Sequence, residues 1–192
     1  MIRKLTDNKS IAIIGNAQSL FDNNWSELIN KYDVILRMNF GIYLNQEQIE
    51  KTTNRCDIYT ENRNLTCLSN WDKYNKLQEP KLKVLTSPYA SKKKDHLGID
   101  WFLPNEYIHK YKKELNNFNP TTGYRNIRLF IDLDNFIELG IFGFDFFATH
   151  NFFSKDSKTN THNLNLEKDK LLKFFEKDSR IKYYNMISRE HK

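Results

Sequence analysis

The stretch Ser10 to Gly15, reading S-I-A-I-I-G, constrains this chain most. A continuous apolar run that short, ended by glycine, is the pattern of a strand buried on both faces, and such strands belong to parallel sheets covered by helices. Trp25, Leu28, Ile29 and Tyr32 follow at helical spacing, and Asp33 to Met38, D-V-I-L-R-M, reads as a second strand ending at Asn39-Phe40-Gly41. Strand, helix and strand within about thirty residues make a βαβ unit. The expected fold class is therefore α/β, with a mainly parallel sheet flanked by helices.

The rest of the chain extends that pattern. Cys56 to Thr60 and Lys83 to Thr86 are further short strands, and Lys92-Lys93-Lys94 before Gly98 reads as an exposed loop. Pro104 to Leu115 suits an amphipathic helix with Tyr107, Ile108 and Tyr111 on one side. Asn119-Pro120-Thr121-Thr122-Gly123 is a turn with hydroxyl caps, continued as a helix through Ile127, Phe130 and Ile131. Phe136 to Phe142 is an apolar strand ending at Gly143-Phe144-Asp145. Residues 151–165 are polar and without periodicity, the pattern of a long mobile loop, which in a compact domain is usually a functional lid or disorder. Leu171, Leu172 and Phe175 mark a helix, and Ile181 to Ile187 a last strand. With 192 residues and no linker or repeat, one catalytic domain over residues 1–192 is expected.

Charge and cysteine usage narrow the function classes. The net charge of +6 is spread among acids, as in Lys168-Asp169-Lys170, rather than massed in a stripe. That argues against a nucleic-acid groove and for anionic ligands or peripheral contact with a membrane face. Cys56 and Cys67 show neither CxxC spacing nor paired histidines, so reduced thiols are expected and a zinc site is not. No apolar run approaches the roughly 20 residues of a membrane span, and the first residues lack the apolar core of a leader. The cytoplasm is the expected compartment.

Two strand ends carry candidate chemistry. Gly15-Asn16-Ala17-Gln18-Ser19-Leu20 and Arg37-Met38-Asn39-Phe40-Gly41 both fall where parallel strands open onto a ligand crevice. Neither is a three-glycine dinucleotide fingerprint, and no phosphate-binding Walker sequence occurs. Asn16 and Asn39 offer neutral amides able to bind phosphate or ribose without metal, and equally able to cap or turn the chain. Thr121-Thr122-Gly123 opens a helix whose free N–H groups can meet an anion, although capping alone accounts for threonine there. His150 and His162, with Glu167 five positions after the latter, supply a general base and a carboxylate to orient it, against the alternative of solvated loop histidines. Asp132-Leu133-Asp134 imitates a sugar-nucleotide metal motif, but its place at the end of a helix makes both surface or capping carboxylates.

In this order, the segments resemble the sialylmotifs of the eukaryotic-type sialyltransferase family. I-A-I-I-G-N-A-Q-S-L with D-V-I-L-R-M-N is similar to the large motif. Asn119-Pro120-Thr121-Thr122-Gly123 running on to Gly143-Phe144-Asp145 resembles the small motif. His150 falls at the third motif's histidine, and His162 with Glu167 reproduces the H-x4-E of the very short motif.

The resemblance implies a modified Rossmann-like fold and transfer of an acidic sugar, sialic acid first, from a CMP-sugar donor to a glycan or glycolipid hydroxyl. It also implies inversion and no metal or other cofactor. Asn16, Ser19, Asn39, Thr121, Thr122, Gly123, Gly143 and Phe144 would bind the nucleotide. His162 would be the base, supported by Glu167, and His150 would touch the phosphate. The family's cysteine near the first strand is replaced by Ile11 or Ala12, which suits a cytoplasmic, microbial version. Transfer of Kdo from CMP-Kdo, or a module that binds nucleotide or glycan without catalysis, are the rival readings.

Overall fold

The buried run after Ser10 lies in the middle of the sheet. In the computed structural model, which describes residues 1–62, 76–86, 99–152 and 161–184, β1 spans Lys9–Ile14, β2 Val34–Met38 and β3 Ile58–Glu61. The sheet continues with β4 (Leu82–Leu85), β5 (Trp101–Phe102), β6 (Phe136–Phe142) and β7 (Ile181–Tyr184). These seven strands form one sheet in the order β5-β4-β3-β2-β1-β6-β7, and every pair is parallel.

Among the described residues the α-helices are α1 (Ile2–Thr6), α2 (Ser26–Asn30), α3 (Gln46–Lys51), α4 (Asn105–Glu114), α5 (Thr122–Leu133) and α6 (Leu164–Lys177). From β1 the chain steps outward through β2, β3, β4 and β5, then returns through α4 and α5 to place β6 on the other side of β1. Strand order therefore reverses between β1 and β6, which is where open parallel sheets bind ligands.

The period-two alternation of β1 explains why its whole length is apolar. Ile11 and Ile13 pack on one face with Leu36, Ile141, Tyr111 and Ile127, beneath α4 and α5. Ala12 and Ile14 pack on the other with Leu20, Ile29, Ile35 and Phe142. Burying side chains of this size on both faces contributes roughly 1.5–3 kcal/mol for each large one, an upper figure because unfolded chains already hide some surface. Asp33 fixes where the β1–β2 pair begins: its Oδ2 accepts from the Ser10 amide at 2.9 Å and the Ser10 hydroxyl at 2.8 Å.

Several boundaries differ from expectation. The helix expected around Trp25 to Tyr32 is a single turn and a half, Ser26–Asn30, and the third strand starts at Ile58 rather than Cys56. The capped α3, with Asn45 and Gln48 reciprocally bonded, and the two-residue β5 are too short to announce themselves by periodicity. Residues 161–163 and the start of α6 take over the end of the expected polar loop, while 153–160 lie outside the described residues. So do Cys67, the Lys92–Lys94 cluster, Gly98 and the end of the last strand beyond Tyr184. Cys56 is a buried free thiol, and burial pushes its pKa up to about 12. Among the described residues no helix is long and apolar enough to cross a membrane.

Candidate functional site

The strand reversal opens as a cleft because two glycines let β1 and β6 end against each other. The Gly15 amide donates to the Phe142 carbonyl at 2.7 Å and Ala17 to Gly143 at 3.2 Å. A Cβ on Gly15 would stand 2.3 Å from the Gly143 carbonyl oxygen, and Gly143 has a left-handed φ of +67°. No other residue type suits that crossing. The cleft, which spans about 710 Å³ with the open solvent at its mouth included, is lined by Asn16, Asn39, Thr121 to Tyr124, Gly143 to Phe147, Asn151 and Glu167 among others.

Asn16 follows Gly15 and turns its amide toward β2. Its Nδ2 donates to the Met38 carbonyl at 3.2 Å, which leaves Oδ1 facing the other way, buried and without a partner among the described residues. Gly41 keeps that oxygen clear, since a Cβ there would lie 2.8 Å from it. Asn39 holds a left-handed φ of +47°. Its carbonyl accepts from the Tyr59 hydroxyl at 2.7 Å and its Oδ1 from the Asn62 amide at 3.1 Å. Its Nδ2 has no partner among the described residues and is available as a donor at the cleft. The two asparagines thus present opposite polarity, an acceptor from one and a donor from the other.

Thr121 is the N-cap of α5, its Oγ1 accepting from the Tyr124 amide at 3.1 Å. The amides of Thr122 and Gly123 have no partner among the described residues, so the positive end of the helix offers two N–H groups. Gly123 brings the helix against β6's end, where a Cβ would meet the Phe144 ring at 2.6 Å.

Glu167 also reaches this helix start. Its Oε1 accepts from the Thr121 amide at 2.8 Å and its Oε2 from the Thr121 hydroxyl at 2.7 Å. The side chain is buried, and burial pushes its pKa up to about 7 against the lowering influence of Thr121 and Arg125.

The expected pairing of Glu167 with His162 is not what the geometry places together, because both carboxylate oxygens are spent on Thr121. His162 instead sets its Nδ1 2.6 Å from the Asn119 carbonyl. A carbonyl only accepts, so Nδ1 carries the proton and the lone pair of the neutral ring sits on Nε2. His162 does not line the cleft; Asn119, which it grips, lies two residues before Thr121. The His150 ring is exposed and also outside the lining, and its carbonyl accepts from Gln18 at 2.8 Å. Ser19 does not itself line the cleft; its hydroxyl donates to Asp145, which does, at 2.9 Å. Asp145 gathers the amide and hydroxyl of Thr149 as well, holding the two loops together.

The remaining lining was not evident from sequence. Phe146 and Phe147 follow Asp145 with left-handed φ values of 54° and 66°, a sparsely populated conformation that costs about 1–3 kcal/mol per residue. Phe146 is held by Tyr183, ring centroids 5.9 Å apart. Two aromatics directly after a Gly-Phe-Asp strand end were the available signal. Asp132 and Asp134 lie apart from the cleft: Asp132 pairs with Lys110 at 2.8 Å and Arg128 at 3.0 Å, and Asp134 ends α5 and pairs with Arg180 at 2.6 Å.

This arrangement is the fold of the sialyltransferases. A mammalian sialyltransferase in complex with Gal-beta-1-3GalNAc-ortho-nitrophenol aligns with a TM-score of 0.64 at 14% identity, over 95% of this chain and 71% of that one. The sialyltransferase CstII from Campylobacter jejuni in complex with cytidine-5'-monophosphate aligns with a TM-score of 0.63 at 20% identity, over 93% and 80%. CstII in complex with a trisaccharide acceptor and CMP aligns with a TM-score of 0.59 at 20% identity, over 92% and 80%. No protein-family profile matches the chain, and no curated protein sequence matches it.

Proposed function

We propose that the chain is a glycosyltransferase that moves an acidic sugar, sialic acid first, from a CMP-linked donor to a glycan hydroxyl. The observation that carries this reading is the cleft at the β1–β6 reversal, where, among the described residues, an acceptor on Asn16, a donor on Asn39 and two amides at the start of α5 have no partner. Solved structures of the same fold hold CMP.

The polarity of these groups assigns parts of the donor. Asn16 Oδ1 can only accept, so it suits a ribose hydroxyl or the cytosine amine rather than a phosphate oxygen. Asn39 Nδ2 donates, and suits the ribose or phosphate oxygens. The Thr122 and Gly123 amides meet the phosphate at the positive end of α5, where negative charge grows as the sugar leaves. No carboxylate pair is needed for a metal in this scheme.

Transfer requires one bond to form and one to break. The acceptor hydroxyl attacks the anomeric carbon from the face opposite CMP, its proton passes to His162 Nε2, and the bond to the phosphate oxygen breaks with both electrons leaving on CMP. Attack from that face inverts the configuration. The Asn119 carbonyl stabilises the imidazolium by holding Nδ1–H. The acceptor is a glycan or glycolipid, met by a basic chain of net charge +6 from the cytoplasmic side of a membrane.

The test is turnover of CMP-sialic acid and of CMP-Kdo with a panel of glycan acceptors, with and without EDTA. The expected result is CMP release from the sialic acid donor, unaffected by EDTA, with an inverted product anomer by proton NMR. Release from CMP-Kdo alone would reassign the sugar. Binding of CMP without turnover of either donor would make the chain a binding module.

A further inference from the structure

Glu167 stands where an incoming anion should stand. It lines the cleft, is only 4% exposed, and occupies the amide and hydroxyl of the N-cap that opens α5. A phosphate arriving at the neighbouring Thr122 and Gly123 amides meets this carboxylate in a poorly hydrated space, where like charges repel strongly.

The surroundings offer little compensation. From α5, Arg125 and Tyr124 bear on Glu167. The Arg125 guanidinium is turned to the Thr86 carbonyl at 3.0 Å, and among the described residues it makes no ion pair with Glu167. From the end of β6, Asp145 lines the same cleft and adds another negative charge. His162, just before α6, is committed to Asn119.

We propose that the cleft takes its anion together with a proton, and that Glu167 is the group that receives the proton. This deepens the reading above and rests on it, since the anion is the nucleotide phosphate. The proton comes from solvent. Protonated Glu167 keeps one oxygen to accept from the Thr121 amide and gains an O–H. The Thr121 hydroxyl, no longer bound to donate to a carboxylate, is released to donate toward the phosphate. Glu167 acts here as a positioning residue whose ionisation is tied to occupancy. Burial has already brought its pKa to about 7, and the anion beside it has to raise it by roughly two units more for uptake at neutral pH to be nearly complete.

The experiment is calorimetric titration with cytidine 5′-(methyl phosphate), a diester whose phosphate does not titrate near neutrality, in HEPES and in Tris at pH 7.5. The difference in heat between the buffers counts protons. The expected count is about 0.75 taken up per site, the share of a group with a pKa of about 7 that is ionised at pH 7.5. Diester affinity should fall above pH 8, approaching tenfold per pH unit. Uncharged cytidine should bind with no proton exchange.

Glu167→Gln should bind the diester without uptake and with affinity flat across this range, while His162→Gln should keep full uptake. Diester binding to the wild type without proton exchange, equal uptake in Glu167→Gln, or loss of uptake in His162→Gln each overturns the proposal while leaving the CMP site standing. Should Glu167→Gln fail to fold, the contrast between diester and cytidine in the wild type, with His162→Gln, decides. Failure of both diester and cytidine to bind overturns the nucleotide site and this inference together.

Discussion

The Asn16 side chain is anchored by the Met38 carbonyl at 3.2 Å, and this bond alone settles which end of the amide faces the cleft. A flipped amide would set oxygen against oxygen. Asn16→Ala should therefore weaken cytidine and CMP binding alike, by about tenfold, the loss of one hydrogen bond worth roughly 1–1.5 kcal/mol. Parallel calorimetry with the two ligands checks this. If only CMP binding suffers, Asn16 serves the phosphate instead of the nucleoside.

Arg37 and Asn39 lie two residues apart at the end of β2 and should fail in opposite ways. Arg37 is buried, its Nη2 donating to the Thr53 carbonyl at 2.7 Å and the Thr52 hydroxyl at 3.1 Å, and its Nε to the Arg55 carbonyl. Arg37→Met strands those acceptors and should cost about 2–4 kcal/mol of stability with CMP affinity of the folded protein unchanged. Asn39→Gly tolerates the left-handed φ of +47° and should do the reverse, keeping most of the stability and weakening the donor. Urea unfolding and CMP titration on both variants separate the two roles. Equal affinity in Asn39→Gly and wild type would show that residue to be a turn and nothing more.

Glu167 should leave a mark on stability as well. Its folded pKa of about 7 exceeds the ordinary 4.5, so between those values the folded chain keeps a proton that the unfolded chain releases. Stability is then greatest below pH 4.5 as far as this group is concerned, declines as pH rises toward 7, and levels off above it. The full decline is about 3 kcal/mol as an order of magnitude. Urea midpoints at pH 5, 6, 7 and 8 should fall in the wild type and flatten in Glu167→Gln. An identical decline in both would assign it to other groups.

His162→Ala should reduce transfer by at least about a hundredfold, the usual scale of general-base assistance, with CMP affinity nearly unchanged. His162→Gln should fare no better, since an amide cannot take the proton. Single-turnover transfer with saturating donor is the measurement. Near-normal transfer by either variant would remove His162 from the chemistry.

How far the chain could be read in advance depended on the kind of signal. The buried strands, the βαβ start and the helix opening at Thr121-Thr122-Gly123 were legible, because burial on both faces and capping chemistry leave marks on adjacent residues. That Asn16 and Asn39 share one cleft followed from parallel topology, which sends every strand's end to the same edge; Thr121, which follows a helix rather than a strand, was joined to them by its place in the motif order. The destinations of side chains were not legible. Glu167 reaches Thr121, 46 positions earlier in the chain, instead of His162 nearby, and Ser19 turns to Asp145, 126 positions later. Spacing along the sequence says nothing about such long-range partners. Phe146 and Phe147 escaped notice because their backbone conformation departs from what aromatic residues prefer.

The reversal of strand order also sets a timetable. β1 can find β2 early, since Ile11 pairs with Val34 after a short excursion of chain. Its other neighbour is far away: Ile11 meets Leu139 only when most of the molecule has been synthesised and the long excursion through β5, α4 and α5 has closed. Gly15 and Gly143 cannot touch until that closure is complete. A chain still emerging from the ribosome, or one stalled with half its sheet assembled, has no cleft at this edge, so if the proposed nucleotide site is right, acquisition of CMP binding during refolding should mark the joining of the sheet's two halves.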